Sequence, residues 1–173
     1  LVRTLGVDGD GEGVTVTASG GTREGEEARV VSGRADTVSA AVLTMQSQGS
    51  SYLYFGHVGQ LLLGEELARR GVDPSLDYVL RDVEMRLETA LHLVRDGEAG
   101  QAMAAAAEDG SATDRLEALA EDVGLTADTM TRSVKDVLAD LEDRGASFAP
   151  ALSADDTLTA AGYGILKDGA LVG

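Results

Sequence analysis

The sequence predicts an α+β protein, with one mixed sheet of about five to seven strands packed with several helices. Three observations predict this class. The stretch from Tyr52 to Arg95 alternates apolar runs with short, clearly punctuated helical segments. Elsewhere the apolar period switches between two (Val14, Val16, Ala18) and helical spacing (Val38, Ala41, Val42, Met45). The chain has 173 residues, 43% of them apolar, which suffices for a real core. Aromatics are only 3%, so that core must be built from Leu, Val and Ala. No repeat or linker divides the chain, and residues 1–173 read as one domain.

The elements follow in order. Leu1 to Val7 and Val14 to Ala18 read as two strands around Asp8-Gly-Asp-Gly-Glu-Gly13, a turn whose glycines and aspartates tolerate positive φ. Asp8, Asp10, Glu12 and Gly13 also sit where a calcium loop wants them, but Ser19 stands where its bidentate Glu belongs and a strand follows. The hairpin reading is therefore preferred. After a polar loop, Ala28 to Ser32 reads as a strand, and Asp36 then caps a helix that Gly49-Ser50-Ser51 ends.

His57 to Leu63 reads as a buried strand, and with the preceding strand and helix it makes a β-α-β order. Gly64 turns the chain into a helix with Glu65 and Glu66 in its first turn, Arg69 and Arg70 in its last, and Gly71 as its stop. Asp73-Pro74 restarts a helix, with Asp as N-cap and Pro at the first helical position. Along it the pairs Asp77–Arg81 and Asp82–Arg86 are each spaced by four residues. Ala90 to Val94 reads as the next strand. Glu98 to Glu108 is an alanine-rich helix, and Ser111 with Asp114 resembles a capping box for a helix ending at Gly124. The longest helix is expected to start at Thr126 and end at Gly145. Ala149-Pro150 opens an extended segment, Leu158 to Leu166 is a strand, and Lys167-Asp168-Gly169 is a tight turn into Ala170 to Val172. Gly162 and Gly164 within that strand read as a bulge or a close backbone approach.

Composition removes several functions. A net charge of −16 repels phosphate backbones, which argues against nucleic-acid binding, and repels anionic lipid headgroups. With no cysteine, the chain has no thiol chemistry, disulfide or zinc–thiolate site. Its two histidines, His57 and His92, lack ligand spacing and read as structural imidazoles in strands. No Gly-x-Ser-x-Gly elbow or phosphate-binding glycine loop occurs, so no catalytic, cofactor-binding or metal-ligating residue is assigned. The most tempting polar cluster is Arg81, Asp82 and Arg86, read either as a fork onto a neighbouring subunit's carboxylate or as helix-surface pairs.

The same central stretch carries a family resemblance. Tyr54-Phe55-Gly56-His57 is similar to a leucine-rich L-G-H strand, with Phe in place of the usual Leu. Glu65-Glu66-Leu67-Ala68-Arg69-Arg70-Gly71 is similar to an E-E-L-A-R-x-G helix, and Asp77 to Arg86 to a D-x-x-L-R-D-x-E-x-R segment. With Leu5-Gly6-Val7-Asp8 and Gly162 to Asp168, these motifs resemble, in order, the N-terminal region of the Ger(x)C proteins. Those are the C-subunit lipoproteins of nutrient germinant receptors in spore-forming bacteria. The likeness is weak between about Gln101 and Ala149.

The resemblance implies a non-catalytic, cofactor-free domain that assembles with A- and B-type membrane subunits in spore germination. It implies a lipoprotein on the outer face of the spore inner membrane, anchored through a lipid-modified cysteine absent from this chain. It singles out Gly56, His57, Glu66, Arg81, Asp82 and Arg86 as structural or subunit-contact candidates. The chain opens on Leu1 rather than Met and stops at Gly173 just inside a strand, which reads as a trimmed piece of a longer protein. The alternative is an extracytoplasmic module that itself binds a small nutrient.

Overall fold

A computed structural model describes residues 2–20, 29–48, 53–108, 112–126, 131–154 and 158–173. Its central layer is an eight-stranded sheet in the order β3-β2-β1-β4-β5-β6-β7-β8. The strands are β1 (Thr4–Asp10), β2 (Gly13–Ser19), β3 (Val30–Ala35), β4 (Gln60–Gly64), β5 (Ala90–Arg95), β6 (Ala146–Ala154), β7 (Leu158–Lys167) and β8 (Ala170–Leu171). β1, β4, β5 and β6 run parallel, and antiparallel hairpins extend the sheet at both edges. Six helices connect them: α1 (Val38–Ser47), α2 (Glu65–Arg70), α3 (Asp73–Arg81), α4 (Ala99–Glu108), α5 (Ala112–Thr126) and α6 (Val134–Arg144). The α+β class holds, with eight strands in place of five to seven.

Helices cover both faces, because the parallel strands need it. Leu61 and Leu63 of β4 face one core cluster with Leu91 and Leu93, α1, α3 and α6. Leu62 and Val94 point the other way, onto Ala99, Ala102, Met103 and Ala106 of α4 and Leu116 of α5. The alanine-rich helix is thus a packing device as well as a propensity effect. A Cβ at Gly6 of β1 would lie 2.7 Å from Met103 Sδ and 3.0 Å from Ala99 Cβ, so α4 lies close against a strand without a side chain there.

One buried acid fixes this contact. Asp8 is 5% exposed, and its carboxylate accepts the Ala99 amide (2.6 Å) and the Gly100 amide (2.8 Å) at the start of α4. Burial pushes its pKa up, against the two amide bonds that pull it down. Asp8 is therefore a remote cap for α4 rather than a member of a loop with Asp10, which pairs with Arg34. The β1–β2 link is a hairpin turn as expected, but it is confined to Gly11-Glu12, with Gly11 at φ 59°, because Asp8 to Asp10 belong to β1. The β7–β8 turn is Asp168-Gly169, both at positive φ, as an I′ hairpin requires. Gly162 at φ 80° is the extra residue of a β6–β7 bulge opposite Pro150–Leu152.

Local signals misplaced several boundaries. Thr37, not Asp36, caps α1, its hydroxyl accepting the Ala40 amide, while Val38, Ala41, Val42 and Met45 are buried as expected. Val72, not Asp73, occupies the N-cap of α3, because its amide is bonded to Gly169 of the β7–β8 turn (2.7 Å) and its side chain is in the core. α5 runs through Gly124 to Thr126, so Thr126 ends a helix where it was expected to start one. The true start of α6 is Ser133, which makes a reciprocal capping box with Asp136. Pro150 lies inside β6 at the bulge rather than opening the strand. Ser111, Gly49-Ser50-Ser51 and Met130 lie outside the described residues.

Asp8→Ala is expected to lower the free energy of unfolding by about 1–3 kcal/mol, since it strands two buried amides. Asp10→Ala, which removes only a surface ion pair, should cost less than about 1 kcal/mol. Urea denaturation followed by circular dichroism separates the two.

Candidate functional site

The motif residues lie in two irregular segments that precede β4 and β5. In the first, the Val58 amide bonds back to Phe55 O (3.1 Å) and closes a turn over Gly56 and His57. That turn takes His57 out of the sheet. It is exposed rather than a strand imidazole, and its ring meets Tyr54 edge-on at 5.7 Å. Gly56 is buried beneath Tyr54, and a Cβ there would lie 2.2 Å from the tyrosine hydroxyl.

In the second segment Asp82 is the hub. α3 stops at Arg81, and Asp82 turns extended, with φ −73° and ψ 126°. Its Oδ1 accepts the amides of Glu84 (2.8 Å) and Met85 (3.3 Å), and its Oδ2 accepts the Tyr78 hydroxyl (2.7 Å). The expected Asp82–Arg86 helix pair therefore does not exist, because those residues are no longer on a helix. Instead the Asp82 carboxylate shapes the turn as an Asx cap does. Glu84 Oε2 accepts the Phe55 amide (3.1 Å), and the Thr89 hydroxyl donates to Arg86 O (2.7 Å) and Val58 O (3.2 Å). These bonds bring Gly56, His57, Asp82 and Arg86 to one end of the parallel strands, with Arg81 beside Asp82.

Glu66 is exposed at the opposite end of β4, in the first turn of α2. Its neighbour Glu65 pairs with Arg69 at 3.5 Å, but Arg70 reaches away to the carbonyls of Glu12 (2.9 Å) and Gly13 (3.1 Å). Arg81 and Arg86 are exposed and make no ion pair among the described residues. Next to them stand two exposed apolar side chains, Leu80 (52%) and Val83 (99%).

A groove of about 700 Å³ runs between the first turn of α1 and the α2–α3 pair. Arg81 and Asp82 line it, with Asp36, Ser75, Asp77 and Tyr78, and His57 does not. Sequence reasoning missed Ser75, whose only signal is a small polar residue within the buried Val72, Leu76, Val79 stripe of α3. It also missed Arg132, which pairs with Asp140 and lies 4.4 Å over the Phe148 ring. Ser147 donates to the same Asp140 carboxylate (2.8 Å), which ties α6 to β6. Among the described residues no group of three or more acidic or histidine side chains could hold a metal ion. No helix among them is long and apolar enough to cross a membrane.

The profile of the spore germination protein N-terminal domain matches residues 1–154, everything from β1 through β6. The chain belongs to this GerAC-type family. The family is generally a non-catalytic germinant-receptor subunit. No curated protein and no solved structure matches the chain. In this GerAC-type domain the sheet continues beyond the matched region through β7 and β8, and Leu158, Leu166 and Leu171 are buried there.

The second histidine of the GerAC-type domain lies in β5, as expected. His92 Nε2 donates to Gln60 Oε1 (2.7 Å), and Nδ1 is shielded from water without a partner. Burial lowers its pKa to about 4. In the unfolded chain the imidazole titrates near 6.5, so between these values only the unfolded state takes up the proton. Stability from this group is therefore present above pH 6.5 and is lost as pH falls toward 4. Between pH 7 and 4.5 the wild-type domain should lose about 2–3 kcal/mol more than His92→Gln in urea denaturation. Equal losses in the two proteins would remove His92 as the cause.

Proposed function

We propose that this domain is a non-catalytic part of a nutrient germinant receptor and acts in spore germination by assembling with A- and B-type membrane subunits. The whole protein is held on the outer face of the spore inner membrane by a lipid on a cysteine outside these residues. The family match supports the reading, and so does the acidic surface, which needs a covalent anchor because it gains nothing from anionic headgroups.

One observation carries the docking part. Leu80 and Val83 project into water on either side of Arg81 and Asp82, on a turn already rigidified by three hydrogen bonds to Asp82. A rigid turn presenting apolar side chains and an unpaired arginine has the composition of an interface core, with apolar anchors and a forked cation. Asp82 serves the turn, Gly56 serves the packing of the facing segment, and Arg81 and Arg86 remain free to fork onto a carboxylate of another subunit.

A second reading is that the domain itself binds a small nutrient. The groove between α1 and α3 favours it, because its volume of about 700 Å³ lies in the range of small-molecule sites.

Val83→Asp and Arg81→Ala separate contact from architecture. Both side chains are exposed, so the melting temperature should move by less than about 2 °C. Co-purification with the two membrane subunits should fall at least about tenfold, a change of one contact's worth of binding energy. Unimpaired assembly of both variants would contradict the docking role.

A further inference from the structure

Among the described residues the large apolar side chains that remain exposed fall into two sets. Ile165 and Val172 are joined across the β7–β8 hairpin, where the Val172 amide donates to Ile165 O (2.9 Å). The others, Leu43 (70%), Tyr54 (42%), Leu80 and Val83, belong to three segments that hydrogen bonds tie into one arc. The Gln46 side chain, one helical turn past Leu43, donates to Leu53 O (2.7 Å) and accepts the Leu53 amide (2.8 Å). That pair of bonds fixes the end of α1 to the segment carrying Tyr54. The Phe55 amide, next to Tyr54, donates to Glu84 Oε2 (3.1 Å) and fixes the same segment to the turn carrying Val83. Leu80 stands on the last turn of α3, just before that turn.

Two features of the arc specify its occupant. Its acids are largely committed, Asp82 to three donors and Glu84 to the Phe55 amide, which leaves Glu88 as the exposed carboxylate of the turn. Arg81 and Arg86 are exposed beside it without an ion pair among the described residues. On a chain of net charge −16, two free guanidiniums next to apolar side chains favour a partner that brings carboxylates. The backbone is committed as well, since the amides of Phe55, Val58, Asp82, Glu84 and Met85 all have acceptors. A partner gains no strand pairing from those amides and must bind through side chains, as the apolar stripe of a helix does.

We propose that Leu43, Tyr54, Leu80 and Val83 form one surface that receives an acidic amphipathic helix of a membrane subunit. The apolar stripe of that helix lies along the arc, and its carboxylates meet Arg81 and Arg86. This rests on the docking reading and adds to it the extent of the surface and the chemistry of the partner.

The test is photo-crosslinking in the receptor assembled from the whole protein and the two membrane subunits. With p-benzoylphenylalanine in place of Leu43, Tyr54 or Val83, each position should crosslink to the same segment of one membrane subunit. Mass spectrometry of the adducts should show a segment with apolar residues at helical spacing and Asp or Glu beside them. The same group in place of Ile165 should give no such adduct. Leu43→Asp and Arg86→Glu change exposed side chains, so the melting temperature should move by less than about 2 °C. Co-purification with the membrane subunits should fall at least about tenfold in both, and Ile165→Asp should leave it unchanged. Adducts from Val83 alone, with Leu43→Asp assembling normally, would overturn the extended surface and leave the docking reading standing. Adducts with lipid from Leu43 or Tyr54 would overturn the helix as occupant, and a crosslinked segment rich in Lys or Arg would overturn its charge. An intact receptor with no adduct from any of the three positions would overturn the docking reading as well.

Discussion

Leu61, Leu62 and Leu63 of β4 are consecutive, so they point to alternate faces of the sheet, and each is essentially inaccessible to water. A strand buried on both sides must have a helix layer above and below it, and both must be reached by connections leaving the ends of its neighbours. That requirement organises the chain. α2 and α3 return from β4 to β5 over one face, and α4 and α5 leave β5 over the other. The segments that carry the chain back into β4 and β5 are left side by side at one end of the strands. The motif residues of those segments are held there by the topology of the sheet.

The same constraint explains why the polar groups nearest the sheet serve packing. Asp8 caps α4 across a large sequence separation, and the Thr4 hydroxyl meets the Thr113 hydroxyl at 2.6 Å on the same face. His92 and Gln60 pair between adjacent strands. Asp8, Thr4, Thr113 and His92 each have a bond that joins two elements, in keeping with the cost of leaving buried donors and acceptors unpaired. The buried Ser75 hydroxyl, beside the groove between α1 and α3, has no hydrogen-bond partner among the described residues.

Much of the fold was legible because the signals are local. The Val38, Ala41, Val42, Met45 stripe needs only the helical period, and Asp168-Gly169 needs only the preference of an I′ turn. The Glu65–Gly71 helix was legible for the same reason, with its acids first, its bases last and its glycine stop. The errors came where a distant partner decided the outcome. Val72 became an N-cap because the β7–β8 turn bonds to it, and His57 left the strand because Phe55 closes a turn over it. At α6 two start signals competed, and Ser133 prevailed by adding the reciprocal bond from Asp136. Of the site, the Arg81–Asp82 region was legible as a motif. The groove was not, since it forms only when α1 and α3 lie together. Asp82 was misread as half of an ion pair because its spacing to Arg86 has meaning only on a continuous helix.

The account stands on the claim that the segments around Gly56 and Asp82 are rigid architecture from which neighbouring groups can act. Native-state hydrogen exchange on the amides of Phe55, Glu84 and Met85 tests this most directly, since each donates to the carboxylate of Glu84 or Asp82. Protection that disappears only with global unfolding, as for the amide of Leu62, is the result the account predicts. Exchange at the rate of an unprotected loop would contradict it.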